Sequence, residues 1–156
     1  MQPRIDVTRY QQHSKLRQAM LALQHEVEAS GLEPSLLELV KIRASQLNGC
    51  AYCLDMHTKD ARALGETEQR IYALSAWRET PFFTDRERAA LEWTEALTFV
   101  GRTHAPDDVY ERVREHFDEA GFVALTFAIA TINAWNRLAP AFRIPVGSYQ
   151  PRHAVK

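Results

Sequence analysis

Apolar residues recur at helical spacing along almost the whole chain. The first such repeat runs from Leu16 to Val27 and lies on one face of a helix. Thr8 can cap the start of this helix, and Gly31 follows its last residues, at about position 30. The pattern predicts an amphipathic helix at the beginning of the chain.

Capping residues, first-turn prolines and terminal glycines divide the rest of the chain into six further helices. Thr84 with Glu87 three residues later has the sequence of a capping box, and Pro34 and Pro106 suit first helical turns. The six approximate ranges are 34–49, 50–65, 67–77, 84–101, 106–116 and 121–138. No stretch alternates with the strand period, and no linker interrupts the pattern. We therefore predict a single all-α domain of about six to seven helices over residues 1–145, with an irregular tail over residues 146–156.

The last predicted helix is apolar on almost all sides, so we expect it to be buried on most of them. Its most apolar run, Phe122 to Ile132, is about half as long as a membrane span needs. Asn133, Asn136 and Arg137 follow; they either line a pocket or, as we favour, bond the ends of neighbouring helices. A helix this apolar is hard to cover in a small domain. We therefore expect it, or the face beside it, to pack against other copies of the chain.

The composition and charge of the chain argue against nucleic-acid and membrane partners. The 156 residues are 46% hydrophobic and 25% charged, with a net charge of −1, so we expect neither a nucleic-acid partner nor a membrane partner. The first residues lack the apolar stretch of a secretory signal, and we expect a cytoplasmic location. In that reducing compartment, two close cysteines are more often catalytic, redox-active or metal-binding than structural.

The only two cysteines, Cys50 and Cys53, are three positions apart, and His57 follows four positions later. On a helix, Cys53 lies about 60° and His57 about 20° around the axis from Cys50, so the three share one face. A helix start near Cys50 favours a thiolate, and side chains three positions apart can form a disulfide after a small adjustment. The pattern predicts a redox-active pair with His57 as its base. It leaves open which thiol attacks an oxidant, because Cys50 is nearer the helix terminus and Cys53 is nearer His57.

Glu38 is the candidate that would complete a proton relay. It lies in the apolar run 36–40, where partial burial would raise the pKa of its carboxyl group. The alternative is a surface glutamate that pairs with Lys41 or Arg43.

The spacing Cys50-x-x-Cys53-x-x-x-His57, with Glu38 twelve residues before the first cysteine, resembles a known signature. It is that of the alkylhydroperoxidase D (AhpD)-like branch of the carboxymuconolactone decarboxylase superfamily. The similarity continues through residues 45–50, 58–62, 74–78 and 132–137 and covers about residues 15–145. The resemblance implies an all-helical fold that assembles as a homotrimer or homohexamer. It also implies a thiol peroxidase activity without metal, haem or flavin.

The resemblance further implies a role for each residue of the signature. Cys53 would attack hydrogen peroxide or an organic hydroperoxide, Cys50 would resolve the product, and Glu38 and His57 would relay protons, partly through water. An external dithiol, such as a lipoyl or thioredoxin-like donor protein, would reduce the disulfide. One departure is Tyr52, which stands where the best-studied peroxidase members carry a relay histidine. The decarboxylase branch lacks the cysteine pair, so we do not expect decarboxylation.

Several alternatives to the peroxidase remain open from the sequence. Two thiolates with His57 and Glu38 could bind zinc, although three of these four ligands lie on one helix face. The redox pair could belong to a protein disulfide reductase or an electron carrier. It could also serve an oligomeric sensor, whose oxidation changes a partner surface without turnover. In the least specific interpretation, the two cysteines are merely buried small hydrophobic residues without a chemical role.

Overall fold

The structure, a computed structural model, describes residues 2–6 and 14–151, which contain eight α-helices and one 3-10 helix. The α-helices are α1 (Lys15–Glu28), α2 (Pro34–Asn48), α3 (Ala51–Ala63), α4 (Glu68–Ala73), α5 (Asp85–Thr98), α6 (Val100–Thr103), α7 (Asp107–Arg114) and α8 (Glu119–Phe142); the 3-10 helix (Leu74–Glu79) follows α4. No strand occurs in these residues, so the all-α prediction is confirmed. Ser14 caps α1 by accepting the Arg17 N–H at 3.2 Å, whereas Thr8, the predicted cap, lies outside the described residues.

The helix count exceeds the predicted six to seven because one expected helix is broken. The stretch expected over residues 84–101 divides at Phe99, whose φ of −106° and ψ of 29° lie outside the helical range. The predicted capping box is present at its start. The Thr84 hydroxyl accepts the Glu87 N–H at 3.3 Å, and the Glu87 carboxylate accepts the Thr84 N–H at 2.8 Å.

Helix α2 is the central element and packs against α3, α5 and α8. Leu39, Val40 and Ile42 on it are completely inaccessible to solvent. Pro34 occupies its first turn, as predicted, and Gly49 ends it with a φ of +65°. Because glycine tolerates this left-handed conformation, the chain can turn sharply there and begin α3 beside α2.

The last helix, α8, is buried on one side only. The expectation that it would be buried on most sides is wrong, because only 39% of its most apolar 18-residue stretch is buried. Val123 and Phe127, one helical turn apart, are 47% and 51% exposed, because no described helix covers this face. By length and composition alone α8 could cross a membrane, a property that it shares with core helices of ordinary domains. The cytoplasmic location and the absence of a membrane partner stay predictions.

Residues 144–151 follow α8 without forming a helix and lie along α3, the helix that begins at the cysteine pair. The boundary between residues 145 and 146, expected to separate the helical domain from the tail, stays a prediction. The position of this segment matters for the site, because it covers one side of α3.

Candidate redox site

Cys50 and Cys53 form a disulfide at the start of α3, with their Cα atoms 5.4 Å apart. Cys50 is the N-cap residue, one position before the first helical turn in which we expected it, and its sulfur accepts the Cys53 N–H at 3.3 Å. The turn at Gly49 therefore brings both sulfurs to the positive end of the α3 dipole. After reduction, this position favours a thiolate on Cys50.

Glu38 lies at the centre of a buried network beside α3. Its Oε2 atom is 2.9 Å from Nδ1 of His57, and its Oε1 atom accepts a hydrogen bond from Nζ of Lys41 at 2.8 Å. Glu38 and Lys41 are each 7% exposed, and His57 is 4% exposed. With Glu38 ionised, Nδ1 of His57 carries the donated hydrogen, which leaves Nε2 as the proton-accepting nitrogen of the ring. The surface alternative for Glu38 is therefore wrong, although the predicted pairing with Lys41 is present.

The expected rise in the pKa of Glu38 is also wrong. Burial does raise the pKa of this carboxyl group. The hydrogen bond and the charge of His57, together with the charge and hydrogen bond of Lys41, outweigh burial and leave the pKa below its ordinary value of 4.5. Glu38 is thus held as a carboxylate that can orient the imidazole.

Two further members of the cluster did not stand out from the sequence. The sequence suggests Lys41 only as a surface partner of Glu38, and it does not mark Asp60 as a site residue. Three polar side-chain atoms, one from each of Glu38, His57 and Asp60, all lie within 4.8 Å of one another. Burial raises the pKa of Asp60, and a hydrogen bond donated by the Tyr149 hydroxyl opposes the rise. The signal that could have found Asp60 is its place three residues after His57, on the same helix face.

The disulfide is enclosed by apolar side chains. Cys50 and Cys53 are 0% and 1% exposed, and they cluster with the buried residues Ala44, Ile132 and Ala139. Three partly buried residues pack against this cluster: Tyr52, Trp135 and Ile144. A reactant must therefore displace part of this cover to reach a sulfur.

The polar residues of α8 hold it against the end of α2. Asn48 donates from Nδ2 to the side-chain oxygens of Asn133 at 2.9 Å and of Asn136 at 3.1 Å. Asn136 donates to the Ser45 hydroxyl at 3.1 Å, and Arg137 donates to the Asn133 side-chain oxygen at 3.0 Å. The structural role favoured for these residues is confirmed. The network fixes α8 beside the turn that leads into the cysteine pair.

The two thiolates of the alternative zinc site are not available as ligands in this structure, because the two sulfurs are bonded to each other. The donors that remain close together are Glu38, His57 and Asp60. The Lys41 ammonium already binds Glu38, and Tyr149 already binds Asp60, so a cation would have to displace or compete with both. The expectation that the protein works without a bound metal or cofactor stays a prediction.

Comparisons with known proteins place these features in context. The sequence model of the carboxymuconolactone decarboxylase family matches residues 15–96. The uncharacterized protein YdfG of Bacillus subtilis is 49% identical over 122 residues, which cover 78% of this chain and 83% of YdfG. A solved structure from Agrobacterium tumefaciens, of unknown function and considered a candidate antioxidant defence protein AhpD, has a TM-score of 0.89 at 42% identity; the match covers 95% of this chain and 100% of that one. The debrominase Bmp8 has a TM-score of 0.72 at 19% identity over 83% of this chain and 70% of its own, which shows a shared fold alone.

Proposed function

Because this chain belongs to the AhpD-like part of the carboxymuconolactone decarboxylase family, we propose that it is a thiol-dependent peroxidase. Its substrate would be hydrogen peroxide or an organic hydroperoxide, and an external dithiol would supply the electrons. The observation that carries the proposal is the Cys50–Cys53 disulfide on a helix whose next turn holds His57, bonded to Glu38. These four residues are the proposed catalytic set.

The proposed oxidation consumes two thiols for each peroxide. The Cys53 thiolate attacks one peroxide oxygen; an S–O bond forms, the O–O bond breaks, and the departing alkoxide takes up a proton to leave as an alcohol. Cys50 then attacks the sulfenic acid on Cys53, the disulfide forms, and the hydroxyl group leaves with the Cys50 proton as water. An external dithiol, with a lipoyl or thioredoxin-like donor as the proposed source, returns two electrons and two protons and is itself oxidised to a disulfide.

His57 and Glu38 would move the proton of the first step. His57 is one helical turn beyond Cys53, where its Nε2 atom can take the thiol proton and later deliver it to the alkoxide. Glu38 supports both states of the ring, because it accepts from Nδ1–H whether or not Nε2 is protonated. Tyr52 has a phenol in place of an imidazole, so we expect slower peroxide turnover than in relatives that carry a histidine at that position.

The test is peroxide consumption by the purified protein with dihydrolipoamide as donor. Cys53→Ser should abolish turnover, and Cys50→Ser should stop it after the sulfenic acid forms. Glu111→Gln, an exposed change on α7, is the control and should behave like the wild type. A wild-type protein that consumes no peroxide with any dithiol donor contradicts the proposal. Reduction of insulin disulfides without peroxide consumption would favour the disulfide reductase instead, and oxidation-dependent binding without turnover would favour a sensor.

Assembly into a homotrimer or homohexamer is a second part of the proposal. Val123 and Phe127 give α8 an exposed apolar strip, which a second copy of the chain could cover. Light scattering at micromolar concentration should give a mass above that of one chain, and Phe127→Glu should lower it. A monomeric wild-type protein would contradict this part alone.

A further inference from the structure

The C-terminal segment, residues 144–151, is attached to α3 by three hydrogen bonds. The Gly147 N–H donates to Oδ2 of Asp55 at 3.1 Å, and Nζ of Lys59 donates to the Tyr149 carbonyl oxygen at 3.1 Å. The Tyr149 hydroxyl donates to Oδ1 of Asp60 at 2.7 Å. The third contact reaches the proposed relay, because Asp60 is the described carboxylate that clusters with His57 and Glu38.

The charged groups near His57 determine whether Asp60 can stabilise the protonated ring. Glu38 and Lys41 form a buried pair at 2.8 Å and carry no net charge between them. Glu28 is 3.7 Å from the same ammonium, but its side chain is 45% exposed, so water screens it. When His57 accepts the thiol proton, a second carboxylate beside Glu38 would further stabilise the new positive charge, and Asp60 is the carboxylate that clusters with the two residues.

The surroundings of Asp60 leave the pKa of its carboxyl group above its ordinary value, with burial as the largest cause. Burial raises the pKa of its carboxyl group, and so does the charge of Glu38; the Tyr149 hydrogen bond and the charges of His57 and Lys41 lower it. Tyr149 is thus the group of the C-terminal segment that favours the ionised form of Asp60.

We propose that Asp60 and Tyr149 are positioning residues of the proton relay. Tyr149 holds the Asp60 carboxylate beside His57, and that carboxylate stabilises the imidazolium formed when the proton leaves the Cys53 sulfur and bonds to the ring. The S–H bond breaks and an N–H bond forms, with no other reactant. The inference rests on the proposed function, since it assigns these residues to the same thiol chemistry.

Two variants separate this role from a structural one. Asp60→Asn removes the charge and keeps the shape, so peroxide turnover should fall about tenfold across the neutral range. Tyr149→Phe removes only the hydroxyl group and thereby lets the pKa of Asp60 rise. The turnover of Tyr149→Phe should match the wild type within about twofold at high pH and approach that of Asp60→Asn at low pH. The fall in turnover, which marks protonation of Asp60, should occur at a higher pH than in the wild type. Loss of packing alone would lower turnover equally at every pH.

Asp55→Asn is the matched control. It weakens the Gly147 contact of the same segment, but Asp55 is not among the groups clustered with His57. Its pH profile should keep the wild-type shape. If it shifts the profile as Tyr149→Phe does, attachment of the segment, and not the Tyr149–Asp60 bond, is responsible, and the proposal is wrong.

A second measurement keeps this inference separate from the peroxidase proposal. In the fully reduced protein, the thiolate has an ultraviolet absorbance that can be followed against pH, with Cys53→Ser as the baseline. Asp60→Asn should show several-fold less Cys53 thiolate near neutral pH, because the imidazolium that accompanies it is less stable. If the wild type consumes no peroxide but this difference is present, the peroxidase proposal fails and the positioning role stands. Equal thiolate fractions in the two proteins overturn the positioning role, whatever the turnover.

Discussion

Replacing Lys41 with methionine tests the buried charge network directly. The ammonium is 2.8 Å from the Glu38 carboxylate, and both side chains are 9% exposed. Removing one member of a buried ion pair typically costs about 3–5 kcal/mol, because the remaining charge loses its compensation. The hydrogen bond from His57 stays in Lys41→Met, so we expect the lower end, about 3 kcal/mol. In a domain of this size that corresponds to a fall in Tm of roughly 6–12 °C.

The dependence on pH identifies the cause of that loss. Glu38 has a lowered pKa, so its carboxylate contributes stability that is complete above about 4.5 and is lost as the pH falls through the folded value. The deficit of Lys41→Met should be largest near neutral pH. It should shrink or reverse in acid, where the protonated Glu38 leaves the wild-type ammonium without compensation. Urea unfolding of the oxidised protein, followed by circular dichroism at several pH values, measures this.

Two further variants make the experiment decisive. Glu38→Gln combined with Lys41→Met removes both charges, so it should be more stable than Lys41→Met alone, with a coupling of about 2 kcal/mol. Lys59→Met removes a lysine paired with Asp55 at 2.8 Å whose side chain is 34% exposed, and it should cost less than about 1 kcal/mol. If Lys41→Met stays within about 0.5 kcal/mol of the wild type at every pH, the network does not have the energetic role described here.

Three shorter predictions follow from other contacts. Glu38→Gln should flatten the loss of stability that we expect for the wild type in acid below pH 4.5, as measured by urea unfolding across pH; an unchanged slope would assign the loss to other carboxylates. Asn136→Ala should cost about 1–3 kcal/mol in thermal unfolding, since it removes the hydrogen bonds of a buried amide to Ser45 and Asn48 on α2; a negligible loss would mean that water replaces them fully. Ile144→Ala should accelerate reduction of the disulfide by a small phosphine, because Ile144 packs against the cluster that encloses the two cysteines, and an unchanged rate would indicate entry from another side.

Local signals in the sequence predicted the helix ends and one face of the site. Helix-end signals such as Pro34, Gly49 and the Thr84 capping box depend only on residues close to them in sequence. Their effects can therefore be predicted from the sequence alone. The shared face of the cysteine pair and His57 follows from helix geometry in the same way. Phe99 escaped prediction because nothing in the flanking sequence marks its departure from helical φ and ψ.

Properties that depend on tertiary neighbours could not be read in this way. Burial of Glu38 was a correct expectation, but the direction of its pKa depended on His57 arriving from α3 and on Lys41 being buried with it. Asp60 acquires its place in the site partly through Tyr149, which is 89 positions away in the chain. No periodicity connects residues so far apart, and only the path of the C-terminal segment along α3 brings them together.

Charged residues on the most buried helix of the fold locate the site. Apolar side chains cover α2 on several sides, so a charge there without a partner would destabilise the fold. Glu38 and Lys41 are retained in that position as a pair, and the pair itself has no net charge. Because hydrophobic packing can stabilise a buried helix at least as well as an ion pair, stability alone does not account for these two charges. The contact of Glu38 with His57, one turn beyond Cys53, fits the proposed role of this carboxylate in orienting the imidazole.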